Sequence, residues 1–189
     1  MILTPKEFEA IARHAVEEYP REACGVVMAR AGWRRFLRCR NVQDDLHAKD
    51  PKRFPRDART AYYIDPQDLL RIGRLETEGF QVAVIYHSHA DAQERGGGTG
   101  AYFSETDTQQ ALFGGQPMYP EATYVVASVV VGRLETVAGF RWSAQEGDFQ
   151  RVELGPGLAW HERLALAAGK AWVRLGNLTL KERKGTSSD

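Results

Sequence analysis

The segment "VIYHSHADAQERGGGTGAYFSETD", from Val84 to Asp107, runs from an apolar strand through a glycine-rich loop into a helix start. The start of this segment belongs to the apolar run "FQVAVIYHSH", residues 80–89, which predicts a strand buried on both faces of a sheet. After the loop, "SETDTQQALF" predicts a helix with Ser104 as N-cap and Asp107 three residues later. The segment therefore predicts a central strand that is followed, across a loop, by a capped helix.

Two further helices are predicted by matching start signals. Thr4, followed by a proline and then a glutamate, is a capping box, and the apolar spacing carries this helix to about Glu18. Asp65, also followed by a proline, begins the second helix, which Gly79 ends. The apolar residues of the second helix that we expect to face the core are Leu69, Leu70, Ile72 and Leu75.

The remaining pattern predicts strands and one long loop. A hairpin is expected around residues 31–33 and another around Gly132, with a short strand at "AYYI", residues 61–64. Residues 41–60 are polar and interrupted by prolines, which predicts a surface loop. This order mixes helices and strands around one sheet, so the fold class is α/β or α+β, packed as a three-layer sandwich.

Composition limits the function classes. The 189 residues are enough for one compact domain, and 25 basic against 25 acidic side chains give no electrostatic reason to expect nucleic acid or an anionic membrane as a partner. We see no signal peptide and no apolar run near the roughly 20 residues of a membrane helix. Cys24 and Cys39 are interpreted as reduced core thiols rather than a disulfide, which favours the cytoplasm.

We expect the main domain to span residues 1–155, followed by a C-terminal extension at 156–180 and a disordered tail at 181–189. The extension contains "LAWHERLALAAGKAW", which is compatible with a helix or an edge element. It can either cover a sheet edge or form a homodimer contact, and the sequence does not decide between the two.

Two histidines on the predicted central strand suggest a metal site. Residues two apart on a strand share a face, with Cβ atoms roughly 6.5–7 Å apart, so His87 and His89 can converge on one cation. Asp107, in the first turn of the following helix, offers a third ligand. Imidazole suits zinc, and three protein ligands leave a fourth coordination position open, as in catalytic zinc sites.

Two more polar residues have a possible chemical role. Glu22 precedes an apolar segment, where a carboxylate beside a metal can take a proton from an attacking water and pass it to a leaving amine. Ser104 can donate its hydroxyl to an oxyanion. Each residue also has an explanation that needs no metal. The histidines can be buried residues with satisfied hydrogen bonds, and Glu22 can be a solvated loop residue. Asp107 can serve only to close a capping box, and Ser104 only as the N-cap.

The combination of "EACG" at 22–25, "HSH" at 87–89 and "SETD" at 104–107 resembles the JAMM (MPN-plus) metalloprotease family over most of residues 1–145. The family motif is a glutamate, then His-x-His, seven residues, a serine, two residues and an aspartate. The resemblance implies a zinc hydrolase with a cytidine-deaminase-like α/β/α fold and a mixed central sheet. It assigns His87, His89 and Asp107 as zinc ligands, Glu22 as general acid/base and Ser104 as oxyanion donor.

The resemblance also implies a substrate class. Family members cut amide or isopeptide bonds after the C-terminal glycine of ubiquitin-like proteins, and short bacterial members cut adducts of small sulfur-carrier or ubiquitin-like proteins. The expected partner is therefore a small protein that ends in Gly-Gly, whose extended tail can lie along a sheet edge.

The spacing departs from the family pattern. Fourteen residues, 90–103, separate His89 from Ser104 where the family has seven, and Ala90 stands where a proline is common. The extra residues are assigned to 93–99, "QERGGGT". They are interpreted either as a lid that orders over a bound tail or as a neutral insertion, since loop closure costs only about 0.6 kcal/mol per doubling of length.

Two other function classes compete with the peptidase. A binding or scaffold module that keeps the fold but not the activity would account for the altered spacing, although it has no need of Glu22. A zinc nucleoside deaminase would need a Pro-Cys-x-x-Cys ligand pair. Cys24 and Cys39 lie fifteen residues apart and do not supply one.

Overall fold

The computed structural model describes residues 2–92 and 98–155. Its helices are α1 (Pro5–Glu18), α2 (Gln43–Lys49), α3 (Pro66–Thr77) and α4 (Glu105–Ala111). Its strands are β1 (Cys24–Arg30), β2 (Trp33–Cys39), β3 (Gln81–Ala90), β4 (Leu112–Phe113), β5 (Gln116–Pro117), β6 (Thr123–Val130), β7 (Arg133–Ser143) and β8 (Asp148–Val152). The predicted extension, the predicted tail and residues 93–97 of the spacer lie outside this range.

The main sheet has six strands in the order β2-β1-β3-β6-β7-β8. β3 and β6 pair in parallel, and every other neighbouring pair is antiparallel, so the sheet is mixed, as predicted. β3 lies near the centre, and its residues 84–89 are all buried. This confirms the prediction of a central strand covered on both faces.

Helices cover both faces of the sheet. On one face, His14 of α1 forms a 2.8 Å hydrogen bond to the hydroxyl of Tyr86. On the other face, Ile72 of α3 and Ala111 of α4 share a buried core with Ile85. Since Ile85 and Tyr86 are consecutive in β3, they point to opposite faces. The architecture is therefore the three-layer α/β/α sandwich, and among the described helices none is both long and apolar enough to span a bilayer.

Both predicted hairpins are present and turn in the same way. Ala31 and Gly32 have φ values of +43° and +86°, and Val131 and Gly132 have +49° and +71°. Two consecutive residues with positive φ form the two-residue turn whose twist matches that of paired strands. The two predicted capping boxes, at Thr4 and Ser104, are also formed.

Several local predictions are wrong. Residues 41–60 are not a plain loop, because they contain α2, a short polar helix whose acidic first turn and basic last turn suit the helix dipole. "AYYI" contributes only an isolated bridge between Asn41 and Ile64. Leu69 and Leu70 are 48% and 65% exposed, since α3 buries only the narrow stripe of Ile72 and Leu75. β4, β5 and β8 had not been predicted.

The two cysteines lie opposite each other on β1 and β2 and are free, as predicted. Burial raises the pKa of Cys39 to about 12 and raises that of Cys24 as well. Both thiols are therefore protonated at neutral pH, and neither has the reactivity of a nucleophilic thiolate.

Gly25 is a packing constraint that can be tested. A Cβ there would lie 2.3 Å from the Leu37 carbonyl oxygen and 2.5 Å from the Tyr86 hydroxyl. Because Leu37 offers a backbone atom of the neighbouring strand, Gly25→Ala should lower the free energy of unfolding by about 3 kcal/mol. The matched control is Gly73→Ala in α3, where the added Cβ meets open space. This variant should raise the free energy of unfolding by about 0.5–1 kcal/mol. Urea denaturation measures both, and equal effects would contradict this account.

Candidate metal centre

His87 and His89 lie at the carboxyl end of β3, on the face that α3 and α4 cover. They are 1% and 6% exposed, and their Nε2 atoms are 3.2 Å apart. Two buried imidazoles whose Nε2 atoms lie this close together can contact the same ion. The alternation of the strand, which sends Ser88 to the opposite face, produces this convergence.

Asp107, in the first turn of α4, directs its carboxylate at the same two Nε2 atoms. Its carboxylate oxygens lie 3.2 Å from His87 Nε2 and 3.5 Å from His89 Nε2. The same carboxylate closes the capping box, because Oδ2 accepts a 2.8 Å hydrogen bond from the backbone N–H of Ser104. Capping and ligation, which the sequence presented as alternatives, are therefore compatible in one side chain.

The three side chains fit a metal ion. Their ligand atoms all lie within 4.8 Å of one another, on residues that are buried. The Nε2 atoms of His87 and His89 are 3.2 Å apart, close to the about 3.3–3.4 Å that separates two ligand atoms around a tetrahedral ion with bonds of about 2.0–2.1 Å. Asp107 turns a different oxygen to each imidazole, Oδ1 to His87 and Oδ2 to His89. His87, His89 and Asp107 thus form a group that can hold one cation.

The charges of the group support this reading. Burial acts to raise the pKa of Asp107, but the charges and hydrogen bonds of His87 and His89 outweigh it and hold that pKa well below its usual range. Burial acts to lower the pKa of His89, and the Asp107 hydrogen bond and the Glu22 charge reverse the effect. The site therefore keeps a carboxylate ionised in a buried position, which favours a cation.

Glu22 lies just before β1, beside the site. Cys24 of β1 pairs with His87, and two hydrogen bonds hold Ala23 to Ser88: from the Ser88 N–H to the Ala23 carbonyl at 2.9 Å and from the Ala23 N–H to Ser88 Oγ at 2.8 Å. Glu22, the preceding residue, is thereby close enough for its charge to act on His89. The Glu22 side chain is 5% exposed. Burial raises the pKa of Glu22 to about 8, while His89 opposes the rise and the Asp107 charge adds to it.

Residues that the sequence analysis missed form the walls. The Tyr62 ring stacks on His87 with centroids 4.8 Å apart, and the Tyr102 ring lies 5.0 Å from that of His89. His89 Nδ1 lies 2.8 Å from the Gly100 carbonyl oxygen. The sequence carries no periodic or motif signal for these residues, because each reaches the site through a loop.

Asn41 was also missed, and it holds the backbone next to Glu22. Its side-chain Nδ2 donates hydrogen bonds of 2.9 Å to the Glu22 carbonyl and 3.1 Å to the Ala61 carbonyl. Its Oδ1 accepts from the backbone N–H groups of Gln43 and Tyr63. One amide thereby ties the segment that precedes β1 to the 41–63 region, which forms the rim of the site.

Comparison with known proteins agrees with this fold. Residues 4–145 match the family of prokaryotic homologs of the JAB domain, and the chain belongs to that family. A curated relative, the tail tip assembly protein K of Escherichia phage N15, is 37% identical over 87 residues, which are 46% of this chain and 29% of the relative. The match thus spans less than a third of that relative's length.

Two solution structures are similar to the chain. One, of a protein from Desulfitobacterium hafniense, has 20% identity and a TM-score of 0.51, and the match covers 79% of this chain and 88% of that one. The other, of a protein from Salinibacter ruber, has 23% identity and a TM-score of 0.49, covering 82% and 90%. At these identities the first structure bears on the fold alone.

Asp107→Asn separates ligation from capping. Asparagine still offers an oxygen to the Ser104 N–H, so the helix start should persist, but the charge on the ligand is gone. We expect affinity for a divalent ion to fall by ~100-fold or more. Loss of a residue that only hydrogen-bonds to a ligand lowers metal affinity by up to ~100-fold, and loss of the ligand's own charge should cost at least as much. The matched control is Glu105→Gln, an exposed acid in the same first turn. Elemental analysis after mild dialysis measures both, and a full ion in Asp107→Asn would contradict the ligand assignment.

Proposed function

We propose that the protein is a zinc-dependent (iso)peptidase that hydrolyses the amide bond after the C-terminal glycine of a small ubiquitin-like or sulfur-carrier protein. The observation that carries the proposal is the buried group of His87, His89 and Asp107, whose ligand atoms lie within 4.8 Å of one another, beside the buried Glu22. Two imidazoles and one carboxylate are the donor set of several catalytic zinc sites. When bound, the metal would polarise the scissile carbonyl and make water acidic enough to attack at neutral pH.

Glu22 is the proposed general base and acid. It takes a proton from the attacking water onto a carboxylate oxygen and later delivers that proton to the amine nitrogen, so that the carbon–nitrogen bond breaks to give an amine. Its burial supports this role, because a carboxylate shielded from water on a backbone that Asn41 holds in place can transfer a proton at a fixed position.

Ser104 is the proposed oxyanion donor. Its Oγ accepts a 3.2 Å hydrogen bond from the Asp107 N–H, which uses a lone pair and leaves its own hydrogen available to donate. That hydrogen can stabilise the negative charge on the carbonyl oxygen as the tetrahedral centre forms. Capping and catalysis are thus compatible in this side chain as well.

An apolar groove beside the site supports a protein as the substrate. The groove has a volume of about 230 Å³, and it shares Tyr62 with the metal centre. Its exposed members include Leu69 and Met118, which are 48% and 51% exposed. An exposed apolar groove of this kind suits the apolar face of a folded partner whose tail enters the site. The free cysteines support a reducing location such as the cytoplasm.

The second candidate function is a binding or scaffold module. The fourteen-residue spacing between His89 and Ser104 favours it, and the similarity to a phage tail tip assembly protein suggests a role within a larger assembly. A module of that kind would retain the fold and its partner surface without turnover. The buried Glu22 argues for the peptidase, because burial of an unused carboxylate is costly.

Glu22→Gln tests the catalytic role. The variant should bind zinc as the wild type does and cleave a peptide ending in Gly-Gly, joined to a fluorescent amine, about 10²–10⁴-fold more slowly. The control is Glu9→Gln, an exposed glutamate on α1, which should leave turnover unchanged. Retained turnover in Glu22→Gln would remove the proposed base. A zinc-loaded wild type that cleaves neither such peptides nor Gly-Gly fusions would support the scaffold instead.

Leu69→Asp tests the groove. With a fusion of a ubiquitin-like protein to a reporter as substrate, the charge in the apolar groove should raise KM about tenfold and leave kcat unchanged. The short Gly-Gly peptide, which does not reach the groove, should be cleaved normally. Leu70→Asp is the matched control, because Leu70 lies next in α3, is 65% exposed and does not line the groove. Equal KM values for the two variants would contradict docking in the groove.

A further inference from the structure

The spacer between His89 and Ser104, residues 90–103, is held by hydrogen bonds at Asp91, where it leaves β3. Asp91, at φ +52°, donates its N–H to the Val129 carbonyl at 2.9 Å. Its carboxylate accepts hydrogen bonds of 2.8 Å from the Val131 N–H and 2.7 Å from the Tyr19 hydroxyl. The first residues of the spacer are thereby tied to the hairpin of β6 and β7, directly after the second histidine.

A second anchor lies at Gly100, before the spacer enters α4. The Gly100 N–H donates a 3.2 Å hydrogen bond to Oε2 of Glu135 on β7, and the same oxygen accepts a 2.7 Å bond from the Ser128 hydroxyl on β6. Ser128 is fully buried. A Cβ at Gly100 would lie 2.4 Å from Ser128 Oγ and 2.5 Å from the Ala92 carbonyl oxygen, so the backbone fits closely against the hairpin.

This second anchor acts on a metal ligand. The Gly100 carbonyl lies 2.8 Å from His89 Nδ1, and a carbonyl only accepts, so it selects the tautomer with hydrogen on Nδ1. That tautomer leaves the Nε2 lone pair directed at His87 and Asp107. Outer hydrogen bonds of this kind orient metal-binding imidazoles and raise their affinity.

We propose that Glu135 is a positioning residue for the metal site. It fixes the Gly100 backbone, and the Gly100 carbonyl in turn fixes the orientation and tautomer of His89. Glu135 binds the Gly100 N–H and the Ser128 hydroxyl, so it acts on His89 through the Gly100 backbone. The spacer can therefore be long, because its two ends are held by the β6–β7 hairpin at Asp91 and Gly100. This inference rests on the metal site of the proposed function.

The test compares zinc affinity in the whole protein, by competition with a chromophoric chelator. Glu135→Ala removes the acceptor and should weaken zinc binding about tenfold, the lower end for lost outer partners. Glu135→Gln keeps an oxygen that can accept from both Gly100 and Ser128, so it should bind zinc as the wild type does. Glu146→Ala, at an exposed glutamate in the β7–β8 turn, is the matched control and should leave affinity unchanged. Wild-type affinity in Glu135→Ala would overturn the proposal, and so would equal losses in the alanine and glutamine variants.

A second readout needs neither metal nor activity. Long-range nitrogen–proton NMR of the metal-free protein, at alkaline pH where imidazole is neutral, reports which nitrogen of His89 carries the hydrogen. We expect the Nδ1–H form in the wild type and in Glu135→Gln, and a mixture of tautomers in Glu135→Ala. The same tautomer in all three would overturn the role of Glu135. A wild type that shows the Nδ1–H form but binds no zinc would contradict the proposed function and leave the role of Glu135 in selecting the tautomer in place.

Discussion

The antiparallel register of β1 and β3 is the constraint on which the rest of the site depends. Cys24 lies opposite His87, and this pairing brings Glu22, at the entrance to β1, near His89. A shift of one residue would turn the side chains of β3 to the other face and separate the carboxylate from both histidines. The register is fixed by the apolar core on both faces, because each slip would expose buried valines and isoleucines. Packing of the core thus determines the geometry of the polar site.

The other half of the site depends on how a short helix begins. α4 has seven residues, too few to be stable alone, and its capping box fixes where the chain turns into the helix. Since Asp107 closes that box and also faces His87 and His89, the cap and the ligand group stabilise each other's geometry. The capping hydrogen bond holds the Asp107 side chain in place, so binding of an ion there would cost less side-chain entropy. The chemistry is built on local structure that the chain forms for its own stability.

The long spacer is compatible with this arrangement because residues near both of its ends are held by hydrogen bonds to the β6–β7 hairpin. Closing a longer loop costs little, about 0.6 kcal/mol per doubling of its length. Precise placement comes from hydrogen bonds at Asp91 and Gly100, which tie the two ends to the β6–β7 hairpin. The hairpin also forms one side of the central sheet, so the rigidity of the sheet extends to His89. The grouping of His87, His89 and Asp107 is therefore compatible with a spacer longer than that of the family pattern.

The sequence by itself determined the elements whose signals are local. Capping residues set the starts of α1, α3 and α4, and the apolar run through His89 identified the central strand. The same pattern named His87, His89 and Asp107, which the structure brings together as a group that can hold a cation, because strand alternation and helix position follow from short-range geometry. Prediction from the sequence failed where the burial of a residue depends on contacts with residues far away along the chain. Leu69 and Leu70 looked like core but face solvent, α2 has too little apolar periodicity to be recognised, and β8 exists because β7 offers it an edge.

Only the tertiary structure decided which loop residues surround the ligands. Tyr62, Asn41 and Gly100 reach the site from segments that have no regular pattern, so their roles depend on where the sheet and helices bring those segments together. Glu135 lies 46 residues beyond His89 along the chain and is connected to it only through a backbone group. Side-chain chemistry and short-range periodicity are properties of the sequence, whereas contacts between segments distant in the chain arise only when the whole sheet has formed.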